Sequence, residues 1–391
     1  MSYRSLLVPG VCLPLICALA SCAGAKPGPP PDLGPRDAFG GLTTNAFEPG
    51  ARFRVEREGA RWWFVTPEGG RFLSFGVNHV TWNGNHAKGT DRNPYNEAVT
   101  ARYGTEEKWA EATSARLEQW GFNTVGAWSS TIDTKTHLPY APILHLSQSF
   151  WSPWWKDEGV VPDFFSDAFL AYVEEKAAGI DKYAGDPKVL GYFIDNELPW
   201  APDHRKTPEL FYGYVALPAD AAGKGQLVAF MEERYGTVEA FNEVWKPAVA
   251  GWDVLAATTA LKPRSKKKAK ADREAFTRLV ARQYFKVTSE AIREKDPGAL
   301  VLGCRFIPYN VPEVVVEACG EYCDVVSTNY YRPLLLGKLY IKHAWRGKST
   351  VDIVPLDESL RAFHELTGKP VMVTEFTSRL KAEGYNSYPP P

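Results

Sequence analysis

GYFIDNELPW, residues 191–200, is the stretch on which the reading of the whole chain turns. An apolar run ends abruptly in Asp195, Asn196 and Glu197, followed by Pro199 and Trp200. A short continuous apolar run is consistent with a strand buried on both faces of a parallel sheet. A carboxylate, an amide and an indole at its end need a separate reason, because buried polar groups cost free energy unless they are paired. The dipeptide Asn-Glu occurs three times in the chain. Asn96-Glu97 reads as part of a polar loop and Asn242-Glu243 as part of a helix; only Asn196-Glu197 closes a strand-like run.

The neighbouring sequence repeats that pattern. Strand-like runs cover 72–78, 122–128, 143–146, 189–195, 300–306, 324–331 and 371–375. Helical patterns lie between them. One covers 108–120 with Gly121 as its C-terminal cap, and one runs from Ser166 to about 183. A third, 273–295, carries Phe276, Leu279, Val280, Phe285 and Ile292 on one stripe, and a fourth, 356–366, is closed by Gly368. Strands alternating with helices predict a parallel sheet with crossover helices. Seven such units in about 300 residues fit a (β/α)8 TIM barrel better than an open doubly wound sheet. No Gly-rich phosphate loop supports the nucleotide-binding alternative.

Seven units are one short of eight, so the expectation is a barrel lacking its eighth βα unit, the chain reading as C-terminally truncated. Before the barrel, 53–57 and 61–65 predict a β-hairpin around a Glu-Gly turn, with a second turn at 67–70. The expected organisation is a signal peptide over 1–22, a Pro/Gly-rich linker over 23–45, a hairpin extension over 46–70 and an incomplete barrel over 71–391.

A net charge of -1 gives no electrostatic case for nucleic acid. The 13 Trp, 18 Tyr and 20 Phe suit either a large aromatic core or a cleft where flat rings stack on sugars. The apolar run VPGVCLPLICALA is too short to span a membrane and reads as a signal peptide. It ends in Leu19-Ala20-Ser21-Cys22, which resembles a bacterial lipobox and implies lipidation of Cys22. The expected location is then the cell envelope, lipid-anchored at the outer membrane or cell surface; an ordinary secretory signal would make the protein secreted or periplasmic instead. Cys304, Cys319 and Cys323 match neither a redox pair nor a zinc ribbon and read as buried thiols, and no metal site is legible.

In a parallel barrel the C-terminal strand ends form the active face. Here they carry Asn78 and His79, Trp128, Asn196, Glu197 and Trp200, Arg305, Asn329 and Tyr331, and Glu375. Two carboxylates on one rim suit glycoside hydrolysis: one gives a proton to the leaving oxygen, the other attacks the anomeric carbon. The simpler alternative for Glu197 is a rim carboxylate paired with Arg305.

Asn-Glu closing the fourth strand, with KPVMVTEF closing the seventh on Glu375, resembles glycoside hydrolase clan A. The likeness covers roughly 50–376. WGFNTVGAWS, YFIDNELPW and YGTVEAFNEVW are similar to β-agarases and, less closely, to β-galactosidases. The resemblance implies that Glu197 is the acid/base and Glu375 the nucleophile, that Asn196 binds the sugar 2-hydroxyl and that Tyr331 orients the nucleophile. Asn78, His79, Trp128, Trp200, Arg305 and Asn329 are expected to bind substrate. The implied activity is retaining cleavage of a galactan-type polysaccharide, with no cofactor. A β-galactosidase or mannan-type hydrolase, and a non-catalytic glycan-binding lipoprotein, remain as alternatives. Many clan members carry Arg at the second-strand end, where Gly126 stands here.

Overall fold

The computed structural model describes residues 34–151, 161–202, 207–308, 310–330 and 356–376. β1 (Arg54–Glu58) and β2 (Arg61–Val65) form the antiparallel hairpin that the turn signals predict, with Gly59 at φ 59° in the turn. β3 (Arg71–Phe72) adds a third strand to it. Residues 34–45 correct the expectation of a tether. Leu42 bridges to Arg71, and Asp37 accepts from Thr66 Oγ1 and from the amides of Phe39 and Gly41. A Pro/Gly-rich segment with its backbone hydrogen bonds satisfied in this way is pinned to the sheet.

The seven strand runs pair in parallel and in sequence order. β4 (Gly76–Val77) pairs with β5 (Thr124–Val125). Single parallel bridges then link Val125 to Tyr140, Tyr140 to Val189, Ile143 to Phe193, Tyr192 to Val301 and Phe306 to Thr328. After a small antiparallel pair formed by β6 (Trp245–Lys246) and β7 (Lys262–Pro263), the series ends with β8 (Val326–Asn329) beside β9 (Val371–Glu375). Among the described residues β4 pairs only with β5, and β9 only with β8.

Helices connect these segments. Thr105 and Ser166 cap Glu106–Gln119 and Asp167–Ala177 through side-chain oxygens, and a 3-10 turn extends the second to Ile180. Lys266–Lys295 starts earlier than its hydrophobic stripe predicts, because 266–270 forms a first turn exposed except at Ala269. Leu356–Thr367 ends before Gly368 at φ 65°. Asn96-Glu97 lies not in a loop but in the helix Pro94–Tyr103. Asn93 caps it and Pro94 opens it; a polar surface helix leaves no apolar stripe to read.

Strand periodicity sends alternate residues to two cores. Val189, Tyr192, Ile194, Val301 and Val326 pack toward the helices. Leu190, Phe193, Leu300, Leu302 and Val325 pack on the opposite face, together with Ala127 and Ala141. Phe53 and Phe72, from the hairpin region, enter that second core edge to face at 5.3 Å. The hairpin therefore plugs the inner face of the sheet. Arg52 fastens it there: Nη1 and Nη2 donate to the two oxygens of Asp296, each at 2.7 Å. Asp296 also accepts from Tyr192 Oη at 2.7 Å and from Gly185 N.

Burial alone would raise the Asp296 carboxyl, but the bonds from Arg52 and Tyr192 hold it below the ordinary 3.8. A carboxylate with a depressed folded value stabilises fully above the unfolded value, and the contribution is lost as pH falls through the folded one. Asp296→Ala, which strands a half-buried guanidinium and the Tyr192 hydroxyl, is expected to cost about 1–3 kcal/mol at neutral pH. It should also flatten the acid limb of stability below pH 3.8. Urea unfolding between pH 2 and 7 measures both.

Candidate active site

Asn329, the last residue of β8, links Glu197 to the residue that precedes Glu375. Its Nδ2 donates to Glu197 Oε1 at 2.9 Å and to Asn196 Oδ1 at 3.0 Å. Its Oδ1 accepts from Thr374 Oγ1 at 2.7 Å, and Thr374 immediately precedes Glu375. An amide can do this because it donates and accepts at once. Glu375 in turn pairs with Arg305, whose Nη2 lies 2.9 Å from Oε1 and donates to Thr374 O at 3.1 Å. Asn78 Nδ2 donates to the same carbonyl at 2.9 Å, which brings the first strand end to the seventh. A cavity of about 490 Å³ opens here, lined by Asn78, His79, Trp128, Asn196, Thr374 and Glu375 among others.

Four of these positions carry backbone strain. His79 has φ 58°, Trp128 58°, Glu197 49° and Arg305 52°, all left-handed and none glycine. Each such residue costs of order 1–3 kcal/mol and persists only where its surroundings over-determine it. At the fourth strand the determinant is Asp195. It is fully buried and accepts from Ser147 N, Ser147 Oγ, Gln148 N and Tyr284 Oη. Burial pushes its carboxyl up while those donors oppose the rise. This answers the question posed by GYFIDNELPW. Asp195 faces back into the fold and locks the strand end, so that Asn196 and Glu197 can turn to the rim.

Several expected substrate contacts take other places. Trp200 is only 2% exposed; it stacks on Phe285 at 5.9 Å and meets Tyr284 edge-on at 5.2 Å. It belongs to the core, not the rim. Arg305 is fully buried and pairs with Glu375, so neither a direct sugar contact nor the alternative pairing with Glu197 holds. Trp128 lines the cavity, yet its ring is already engaged. His79 stacks on it at 4.7 Å, and the Arg305 guanidinium lies 4.3 Å from its centroid. Asn329 is 1% exposed and spends its amide on protein partners. Asn78, His79 and Asn196 do line the cavity. Tyr331 and Cys22 lie outside the described residues.

The sequence reading missed Asp195 and Thr374. A lone Asp inside an apolar run was the available signal for the first; nothing marks the threonine before Glu375. Among the described residues no three or more His, Cys, Asp or Glu side chains gather as metal ligands. Nor is any described helix long and apolar enough to cross a membrane. Cys304, Cys319 and Cys323 are free and buried.

Residues 164–391 match the family model of glycoside hydrolase 42, described as beta-galactosidase. Beta-agarase B of Vibrio sp. (strain JT0107) is 27% identical over 287 residues, which is 68% of this chain and 29% of that protein. Beta-agarase A of the same strain is 24% identical over 306 residues, 72% of this chain and 28% of that one. A solved agarase superposes with TM-score 0.69 at 20% identity, covering 87% of this chain and 54% of its own. An exo-beta-agarase gives 0.66 at 20%, covering 87% and 55%. The chain thus shares the fold of these enzymes, and it spans under a third of the curated relatives' length.

The crowding at Gly126 yields a test of the rim. A Cβ there would lie 2.2 Å from Asn78 Oδ1 and 3.2 Å from Val77 O. Gly126→Ala must displace the Asn78 amide from Thr374, and an expected loss of about 1–3 kcal/mol follows from overpacking. Thermal unfolding of the variant beside its parent checks it; an unchanged melting temperature contradicts the packing described.

Proposed function

We propose, from the premise that the chain belongs to the glycoside hydrolase 42 (beta-galactosidase) family, that it is a retaining glycosidase of β-linked galactose units in an agarose-like galactan. The observation that carries the reading is the Asn329 bridge, with Glu197 and Asn196 on its amide nitrogen and Thr374, next to Glu375, on its oxygen. Glu197 and the residue before Glu375 are thereby held at one polar rim.

In the first step a Glu375 carboxylate oxygen attacks the anomeric carbon. The glycosidic C–O bond breaks, and its electron pair leaves with the alkoxide oxygen, which takes the proton of Glu197. In the second step Glu197 removes a proton from water, the water oxygen bonds to the anomeric carbon, and the ester to Glu375 breaks. Two inversions give net retention. Asn196, half-buried at the cavity wall, is the contact to the 2-hydroxyl. The strained backbone at Glu197 supports pre-organisation of the acid/base.

The same reading takes the parallel series as a (β/α)8 barrel whose eighth place lies between β4 and β9. The exposed Leu73 and Phe75, beside β4, and Phe376, next to β9, support that place. It also takes Cys22 as a lipid anchor that holds the enzyme at the cell envelope. A β-galactosidase acting on small galactosides is the second reading, favoured by the description of the matched family. The alignment to two beta-agarases over about two thirds of the chain favours the polysaccharide.

Glu375→Gly should lower turnover of 2,4-dinitrophenyl β-galactoside by about 10⁴-fold or more while the fold is retained. Added azide should then yield the α-galactosyl azide. Glu197→Ala should slow agaro-oligosaccharide cleavage by about 10²–10⁴-fold, spare the dinitrophenyl substrate's first step and give the β-azide. Substantial residual activity of Glu375→Gly, or swapped azide products, rejects the assignment. Agarose against lactose in one assay separates the two substrate readings.

A further inference from the structure

Arg305 has no role in the reading above, yet it is the most constrained charged group at the rim. It is fully buried, and a buried guanidinium is sustained only by a well-placed counter-charge and further bonds. Those are present on β9: Nη2 reaches both Glu375 Oε1 and Thr374 O. The guanidinium lies 4.3 Å from the Trp128 ring and 5.1 Å from that of Phe193, contacts that fix its plane. Arg305 N donates to Ser327 Oγ at 2.9 Å, and the residue sits at φ 52°. Backbone, plane and charge therefore hold one nitrogen of the guanidinium, Nη2, against Glu375 and the carbonyl before it. The second strand end, where the clan resemblance places an arginine, cannot supply one. Gly126 stands there, and the space beside it is taken by the Asn78 amide.

We infer that Arg305, reaching in from the fifth strand, is the positioning residue for Glu375, holding its carboxylate in attack geometry across both steps of the reaction. This rests on the reading of Glu375 as nucleophile. While Glu375 is ionised the pair is neutral. When the ester forms, the carboxylate loses its charge and its attraction to Arg305, so the pair favours departure of the carboxylate in the second step. Removal of the guanidinium should slow turnover with little effect on binding, because Arg305 is fully buried.

The test compares Arg305→Gln and Arg305→Lys with the parent on 2,4-dinitrophenyl β-galactoside. Arg305→Gln is expected to lower kcat by about 10²–10³-fold with KM within about threefold. Millimolar guanidinium chloride should restore at least about tenfold of that loss, and methylammonium should not. Arg305→Lys, which keeps the charge but not the fork, should fall between. A folded Arg305→Gln with parental kcat, or one that changes KM alone, overturns the inference. If Arg305→Gln does not fold, Arg305→Lys carries the kinetics, and parental kcat there overturns it equally. A second measurement needs no activity: urea unfolding of Glu375→Gln, Arg305→Lys and the double variant. Non-additive losses support the pair, and additive losses reject it. Formation of α-galactosyl azide by Glu375→Gly keeps the nucleophile reading intact whatever Arg305 does, so the two failures are distinguishable.

Discussion

The amide of Asn329 is the contact on which the site depends. It sits where β8 and β9 change register, between Thr328 and Asn329, so that Asn329 pairs with Glu375. Irregularities of this kind re-aim side chains and are common beside active sites. A carboxylate at this position would oppose Glu197, and an apolar side chain would leave Thr374 Oγ1 without this acceptor and Glu197 without this donor. Only a group that donates on one side and accepts on the other connects the fourth strand end to the seventh. Two residues then separate the carboxylates, and both are buried or half-buried within a parallel series whose C-terminal ends share one rim.

The sequence made that rim legible because its signal is chemical. Polar or aromatic residues at the ends of six of the seven apolar runs cannot be explained by strand stability. The parallel order followed from alternation alone, and all seven runs pair in sequence order. Which way each strand-end residue turns was not legible. Trp200 and Asp195 flank Asn196 and Glu197 by a few positions, yet both face the core, because Phe285 and Tyr284 of the helix Lys266–Lys295 receive them. That helix lies some ninety positions away in the chain, and no local pattern encodes the contact. Arg305 is used within the fold: Glu375 and the Trp128 ring hold it, so it is not left for a sugar in the way its type suggests. Residues 34–45 have the composition of a linker but acquire order from β3, a partner that composition does not reveal.

The hairpin illustrates how a small element constrains a large one. Phe53 and Phe72 fill the inner face of the sheet against Leu190, Leu300 and Leu302, where open apolar surface would otherwise remain. Such burial is non-directional and fixes no register by itself. Register comes from the bidentate Arg52–Asp296 pair, whose acceptor also holds Tyr192 of the fourth strand run. Tyr192 is three positions before Asp195. The fourth strand is thus pinned at its start by the plug and at its end by Ser147, Gln148 and Tyr284. A segment fixed at both ends can hold a left-handed residue at Glu197 without relaxing it.

The partners of the two glutamates differ in kind. Glu375 meets a cation that is itself immobilised by an aromatic ring on the second strand and another on the fourth. Glu197 meets the neutral amide of Asn329. Two chemically identical side chains acquire separate tasks when their surroundings treat charge differently. A cation beside Glu375 favours its ionised form, and the Asn329 N–H gives Glu197 a neutral donor.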